Sequence, residues 1–390
     1  MSGEMIQALF AALICGVTLM ATAAGEEGIA AKYPGDAGIE NDPDVVLAEN
    51  FEGGSVDAVK NAKSPRGMHG RRWSGVLGAG GDKAKRAFDV ISDAENVHSG
   101  RHALQLTFNE HTAGHTGGLF TRLKEGVDTL HVRMYMKFAK GYPGASHAGT
   151  LVQATHEKSP WFTGGAGKVP GGNEKLMVSL EPVGGRGKEH PGNWGFYNYW
   201  HEMKGRWGNK FDSKPPAEVV RGKWTCVELM VKLNSGPAKR DGECAFWVDG
   251  SLSLHLKEIY WRTSTELKLN TIFPHQYINR NGGNWRANQK PRVQWRDDIV
   301  VAKRYIGPMA KREAPADGKP EAAGPGAWAG APPAALAHKE PSIDPKAAKL
   351  FRDARHAERS GMKSLARRFY QRLVDEHPSS PLAEKAKARL

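Results

Sequence analysis

The chain has 390 residues, 39% hydrophobic and 25% charged, with a formal net charge of +13 and three cysteines. That length accommodates one domain of about 250 residues with a substantial core, plus appendages. The cysteine count excludes a disulfide-rich scaffold, and the charge points to an anionic partner.

At the N-terminus an apolar run over residues 8–24 closes on the small-residue pattern Ala21-Thr22-Ala23, which predicts a secretory signal peptide over residues 1–24 and a secreted or periplasmic protein. The run is short for a membrane span and no basic stop-transfer cluster follows it, so no transmembrane segment is expected after signal removal. Export and the lack of any nucleic-acid motif make nucleic acid a poor partner and an acidic polysaccharide a better one. Charge is also uneven: residues 339–390 carry 13 Lys and Arg against 7 Asp and Glu, which leaves the central region only moderately basic.

Over residues 45–308 short apolar runs alternate with Gly-, Pro- and Asn-rich turns, without a long helical periodicity. Strands are expected at 45–51, 102–108, 118–123, 129–138, 175–182, 195–201, 225–233, 245–248, 267–273 and 294–302. Asn234-Ser235-Gly236-Pro237, Arg240-Asp241-Gly242 and Val248-Asp249-Gly250-Ser251 punctuate them as tight reversals. The expectation is an all-β, two-sheet sandwich of the jelly-roll kind over residues 45–308, one sheet curving into a groove. Cys226 and Cys244 fall on neighbouring expected strands, and whether they pair is left open.

Residues 309–343, dominated by Ala, Pro, Gly and charge, read as a linker. Beyond it, 344–390 turns helical, with helices expected at 346–359 and 362–376 and a third beginning at Pro381. The order Leu350, Ala354, Ala357, Gly361, Ala366, Tyr370, Leu373, Pro378 resembles the tetratricopeptide pattern. Since isolated repeats cannot bury their apolar faces, this tail is expected to dock on the sandwich, pair with a protein partner or remain marginal.

The stretch Trp194-Gly195-Phe196-Tyr197-Asn198-Tyr199-Trp200-His201 divides by strand alternation into a face with Trp194, Phe196 and Trp200 and a face with Tyr197, Tyr199 and His201. Phenols and an imidazole in one row suit a sugar polymer, because aromatic bodies stack on pyranoses while their polar tips form hydrogen bonds. On 129–138 the same alternation puts His131, Arg133, Tyr135 and Lys137 on a polar face opposite Val132, Met134, Met136 and Phe138. The polar face either lines a groove or meets solvent, with the groove preferred for Arg133.

Several stretches in order carry a resemblance: Val132-Arg133-Met134-Tyr135-Met136-Lys137-Phe138, Phe196-Tyr197-Asn198-Tyr199, Gly222-Lys223-Trp224-Thr225-Cys226-Val227-Glu228, Phe246-Trp247-Val248-Asp249-Gly250, and Trp295-Arg296-Asp297-Asp298-Ile299-Val300-Val301-Ala302. Together they resemble the secreted jelly-roll polysaccharide lyases, nearest the alginate lyases of polysaccharide lyase family fourteen, across residues 45–308. The resemblance implies a concanavalin A-like sandwich and β-elimination at a uronate, with Tyr197 and Tyr199 as the proton-transferring pair. The family's Lys is missing from Gly144-Ala145-Ser146-His147-Ala148-Gly149-Thr150, its nearest counterpart being Lys168 in Gly167-Lys168-Val169-Pro170-Gly171-Gly172, and its Ser-x-Arg strand is here Ser179-Leu180-Glu181.

Elimination needs a base at C5, an acid at the glycosidic oxygen and neutralisation of the uronate carboxylate. Tyr, with an ordinary pKa near 10, needs a nearby cation to act as a base. The candidate catalytic set is therefore Tyr199, with Tyr197 assisting and Arg133 and His147 meeting the carboxylate. Lys168, Glu181, Asn198, His201 and Tyr135 are candidates for holding sugar, and Glu181 alternatively pairs with Arg133. His111 and His115 have a zinc-like spacing, but glycine-rich flanks argue for a loop, and no metal or cofactor is expected. A non-catalytic carbohydrate-binding sandwich and an envelope interaction protein acting through its helical tail are the alternative functions.

Overall fold

A strand with one apolar and one polar face can bury only the first, and two such sheets laid face to face bury both. The computed structural model describes residues 27–80, 86–108, 116–143, 147–157, 167–183, 192–277, 291–312, 344–359, 363–378, 380–387 and 389–390. The expected signal peptide, His111, His115 and residues 313–343 of the expected linker lie outside the described residues.

One sheet has eight strands in the order β13 (Ser251–Ile259), β12 (Gly242–Val248), β11 (Thr225–Lys232), β6 (Thr129–Phe138), β15 (Arg292–Ala302), β4 (Ala103–Phe108) and β3 (Phe88–Ile91), with β1 (Val45–Glu49) also paired to β15. The other has seven, in the order β10 (Asn209–Glu218), β9 (Asn193–Tyr199), β8 (Lys175–Val183), β7 (Thr150–Thr155), β14 (Leu269–Tyr277), β5 (Thr116–Val127) and β2 (Gly75–Leu77). This is the all-β jelly-roll sandwich that the strand pattern predicts, and each of the ten expected strands is present.

The core forms where the inner faces meet. Val132, Met134 and Met136 of β6 and Leu176, Val178 and Leu180 of β8 are buried there. Phe196 of β9 meets Phe246 of β12 edge to face at 5.3 Å, and the Thr150 hydroxyl reaches the Met134 sulfur at 3.2 Å.

The folded unit begins upstream of the expected boundary at residue 45. Ile29, Ala30 and Ile39 are fully buried with Val300, Ala302 and Ile306 in a second small core on the outer face of the eight-stranded sheet. This N-terminal segment also brings Asp36 onto Arg133, and both side chains are completely buried. Burial alone would lower the guanidinium pKa, but the Asp36 charge and hydrogen bond together with Cys226 and Tyr135 outweigh it, and Arg133 stays protonated.

Cys226 and Cys244 are free and buried. Pairing is excluded by register: Cys244 lies opposite Val231 with its side chain in the core, while Cys226 lies opposite Tyr135 on the outer face. Burial pushes the Cys226 thiol up to about 12.

The chain divides into two compact units, one ending at Trp328 and the other beginning at Ala329. The second contains α2 (Pro345–Arg359), α3 (Lys363–Glu376) and α4 (Pro381–Lys387), α1 (Val56–Asn61) lying in the first. Leu350, Ala354, Tyr370 and Leu373 pack into a core of the tail's own, and the Tyr370 hydroxyl donates to Glu358 at 3.0 Å. The helices stand where expected, and their apolar residues pack against one another.

Two outcomes follow from burial. Asp36→Ala strands a buried guanidinium and lowers the unfolding free energy by about 3–5 kcal/mol in denaturant titration. Cys226 and Cys244 react with a thiol reagent only after the chain is denatured.

Candidate functional site

The register of the seven-stranded sheet sets the site. β8 and β9 pair with Ser179 opposite Tyr197, Met177 opposite Tyr199 and Glu181 opposite Gly195. Directly opposed residues share a face, so these five side chains stand together on the side away from the core. The Tyr197 and Tyr199 hydroxyls meet at 2.9 Å, with their rings edge to face and centroids 5.4 Å apart.

His147 joins from the segment preceding β7. Its backbone is left-handed, with φ of 59°, which few non-glycine residues adopt and which turns the chain just before the strand. Its ring lies 5.4 Å from that of Tyr197, and Nδ1 is 3.2 Å from Glu181 Oε2. The same carboxylate oxygen accepts from the Ser179 hydroxyl at 3.1 Å. Close approach is possible because Gly149 lies over β8: a Cβ there would fall 1.9 Å from the Leu180 carbonyl oxygen and 2.7 Å from the Glu181 Cβ.

β14 contributes His275 and Tyr277, whose rings are 6.5 and 6.2 Å from that of His147. Burial, with a smaller effect of His147, pushes His275 down to about 3, so it is neutral at ordinary pH. Beside this polar cluster Phe120, Leu151 and Phe273 are buried together on the same face, giving the site an apolar flank.

Electrostatics separates the roles. Burial alone would raise the Glu181 carboxyl, but the His147 charge and hydrogen bond, His275 and the Ser179 hydroxyl together hold it below its ordinary value. Tyr197 moves the other way: burial, then the hydrogen bond and charge of Tyr199, then Glu181, push its hydroxyl above the ordinary tyrosine value, and only the Gly208 backbone pulls against this. A carboxylate fixed as an anion thus orients one face of an imidazole, while a phenol that keeps its proton stands on the other side.

Of the sequence candidates, Tyr197, Tyr199, His147 and Glu181 come together. Arg133 and Tyr135 do not. They lie on β6, on the outer face of the opposite sheet, with the hydrophobic core between them and the tyrosine pair. Arg133 is sealed against Asp36; Tyr135 accepts a hydrogen bond from the Met309 amide at 2.9 Å and stacks on His98 at 3.5 Å. Glu181 consequently pairs with His147 and not with Arg133.

Asn198 is displaced for the reason that makes its neighbours useful. It alternates with them, so its side chain faces the core, 1% exposed, with Nδ2 4.0 Å from the Cys244 sulfur. His201 lies past the end of β9, edge to face with Tyr260 at 4.9 Å and close under Gly172. Lys168 is exposed in the loop before β8; a Cβ on the adjacent Gly167 would lie 3.6 Å from Arg206 and 3.7 Å from Trp207, at the rim of the sheet.

Sequence reasoning missed His275, Tyr277 and Lys210. The first two continue the alternation of Phe273, beyond the expected end of that strand at 273. Lys210 lies directly opposite Tyr197 on β10, a strand whose Asp212, Lys214, Pro215 and Pro216 give no strand signal. Among the described residues no group of three or more His, Cys, Asp or Glu side chains is arranged to hold a metal, and no helix is long and apolar enough to cross a membrane.

Residues 214–297 match the family described as Polysaccharide lyase 14, in agreement with the resemblance read from the strand motifs. No curated protein matches the chain. Among solved structures the chain is similar to alginate lyase Aly36B, with 16% identity, 67% of this chain and 98% of that one covered and a TM-score of 0.44. It is similar to alginate lyase vAL-1 from Chlorella virus, at 14% identity, 56% and 93% coverage and a TM-score of 0.42. A third, the endo-beta-1,4-glucuronan lyase from the fungus Trichoderma reesei, has 15% identity, 63% and 98% coverage and a TM-score of 0.39.

The depressed Glu181 carboxyl has a pH signature. A folded value below the unfolded one stabilises the protein fully above the ordinary 4.5, and that contribution is lost as pH falls through the folded value. Denaturant unfolding of the native chain and of Glu181→Gln across this range should show the native advantage at neutral pH shrinking in acid; a constant difference would contradict the His147 pairing.

Proposed function

We propose that this protein is an exported lyase that binds a uronate-containing polysaccharide and cleaves it by β-elimination at the cluster of Tyr197, Tyr199, His147 and Glu181. The observation that carries this reading is the contact of two phenol hydroxyls at 2.9 Å beside an imidazole held by a carboxylate at 3.2 Å. The family match over residues 214–297 supports the same class of chemistry.

The elimination removes the C5 proton of the uronate, forms the C4–C5 double bond and expels the glycosidic oxygen, which takes up a proton. In its neutral form, with the Nδ1 proton donated to Glu181, His147 has Nε2 to accept the C5 proton. Glu181, held as an anion, then balances the imidazolium that results. Tyr197 keeps its proton because its hydroxyl is raised, and so it suits the donor side. Tyr199, in hydrogen-bond contact, completes a two-phenol path to the leaving oxygen. Arg133 has no part in this scheme, and neutralising the substrate carboxylate falls to other cations.

A carbohydrate-binding module without catalysis is the second reading. What favours it is that, among the described residues, neither phenol is hydrogen-bonded to a Lys or Arg. The helical tail, with its tetratricopeptide-like order, is proposed as an accessory segment for a protein partner.

Incubation with alginate, glucuronan, pectate and glycosaminoglycans should give the absorbance of an unsaturated uronate, at about 235 nm, with at least one of them. His147→Ala and Tyr199→Phe should each lower kcat/KM by about 10²–10⁴-fold. Binding without any absorbance change on every polymer would leave the module and remove the lyase.

A further inference from the structure

The loop joining β9 to β10 places an exposed aromatic ring and several cations against the tyrosine pair. Trp207 is 57% exposed, an unusual state for so large an apolar side chain. Its neighbour in sequence is fixed to the site: a Cβ on Gly208 would lie 2.6 Å from the Tyr199 ring, and the Gly208 backbone reaches the Tyr197 hydroxyl. Trp207 is thus one residue away from both phenols. Arg206 lies with its guanidinium 5.5 Å from the Trp207 ring centroid, and is exposed, as are Lys204 and Lys210. Lys210 is on the same face as Tyr197 and directly opposite it across the strand pair.

We propose that this hairpin is an acidic-sugar subsite, in which Trp207 stacks on a pyranose ring next to the cleaved linkage while Lys210 and Arg206 hold uronate carboxylates. The proposal rests on the reading of the tyrosine cluster as a polysaccharide site and names the part of the chain that selects charged over neutral sugar. An indole offers the flat apolar surface that a pyranose face requires. Arg206 beside it and Lys210 opposite Tyr197 supply the charge complementarity that a polyuronate demands and a neutral glucan does not. Lys210, directly opposite Tyr197, is a cation on the phenols' own face of the sheet, whereas Arg133 is sealed on the other side of the sandwich.

The test uses the full chain with alginate and glucuronan tetrasaccharides, and cellotetraose as the neutral counterpart, measuring binding by calorimetry and turnover by absorbance. Trp207→Ala should weaken acidic-sugar binding about 5–10-fold and raise KM more than it lowers kcat, with Trp207→Phe recovering most of the loss. Lys210→Gln and Arg206→Gln should flatten the salt dependence of Kd and narrow the preference over cellotetraose. All these side chains are exposed, and unchanged melting temperatures would exclude a folding defect. If the native chain binds and cleaves an acidic oligosaccharide while Trp207→Ala does so equally well, the subsite is overturned and the lyase reading stands. If the native chain neither binds nor cleaves either acidic tetrasaccharide, both fall.

Discussion

The arrangement of the tyrosine cluster depends on the register in which β8 pairs with β9. Placing Ser179 opposite Tyr197 and Met177 opposite Tyr199 puts the phenols and Glu181 on one side of the sheet and Leu180, Phe196 and Asn198 on the other. A slip of one residue would exchange the two sets. It would drive two tyrosines and a carboxylate into the hydrocarbon interior and expose the residues that hold the sheets together. Burial of Phe196 and Leu180 therefore fixes the tyrosine pair as firmly as any contact the tyrosines make themselves.

Alternation within a strand is legible in the sequence, and it sorts Tyr197 from Phe196 and Arg133 from Met134. What it cannot give is which sheet a strand joins or what lies across its outer face. Arg133 and Tyr135 do stand on a polar face, but β6 belongs to the eight-stranded sheet, and only the paired structure separates them from the tyrosines. Asn198 is a different case: the alternation that aligns its neighbours already assigns it to the core. Strands without the usual composition are unreadable. β10, interrupted by prolines, is such a strand, whereas β7 and β13, the latter with Leu252, Leu254 and Leu256 in alternation, carry strand composition that the expected pattern passes over.

The two outer faces are both rich in polar groups and have become different things. Across the eight-stranded sheet lie the N-terminal segment and residues 305–309, and the charged groups beneath them are paired: Asp36 with Arg133, although Asp36 Oδ1 and Arg133 Nε and Nη1 have no hydrogen-bond partner among the described residues, His131 with Glu228 at 2.8 Å, and Glu228 with the Ile306 and Gly307 amides at 2.9 Å each. Such pairing is what burial of charge demands. On the seven-stranded sheet Glu181 anchors one nitrogen of His147, and the imidazole retains a second nitrogen for other work.

β10, at the border of the seven-stranded sheet, bears a consequence for how molecules of this protein meet one another. A terminal strand offers unpaired amides to any neighbouring chain, and Pro215 and Pro216 have none to offer, while Lys210 and Lys214 keep exposed charge along the same border. Growth of the sheet into a neighbouring molecule is discouraged without covering this border by another element. Two prolines and two lysines on one strand thus keep separate molecules from joining their sheets along this border.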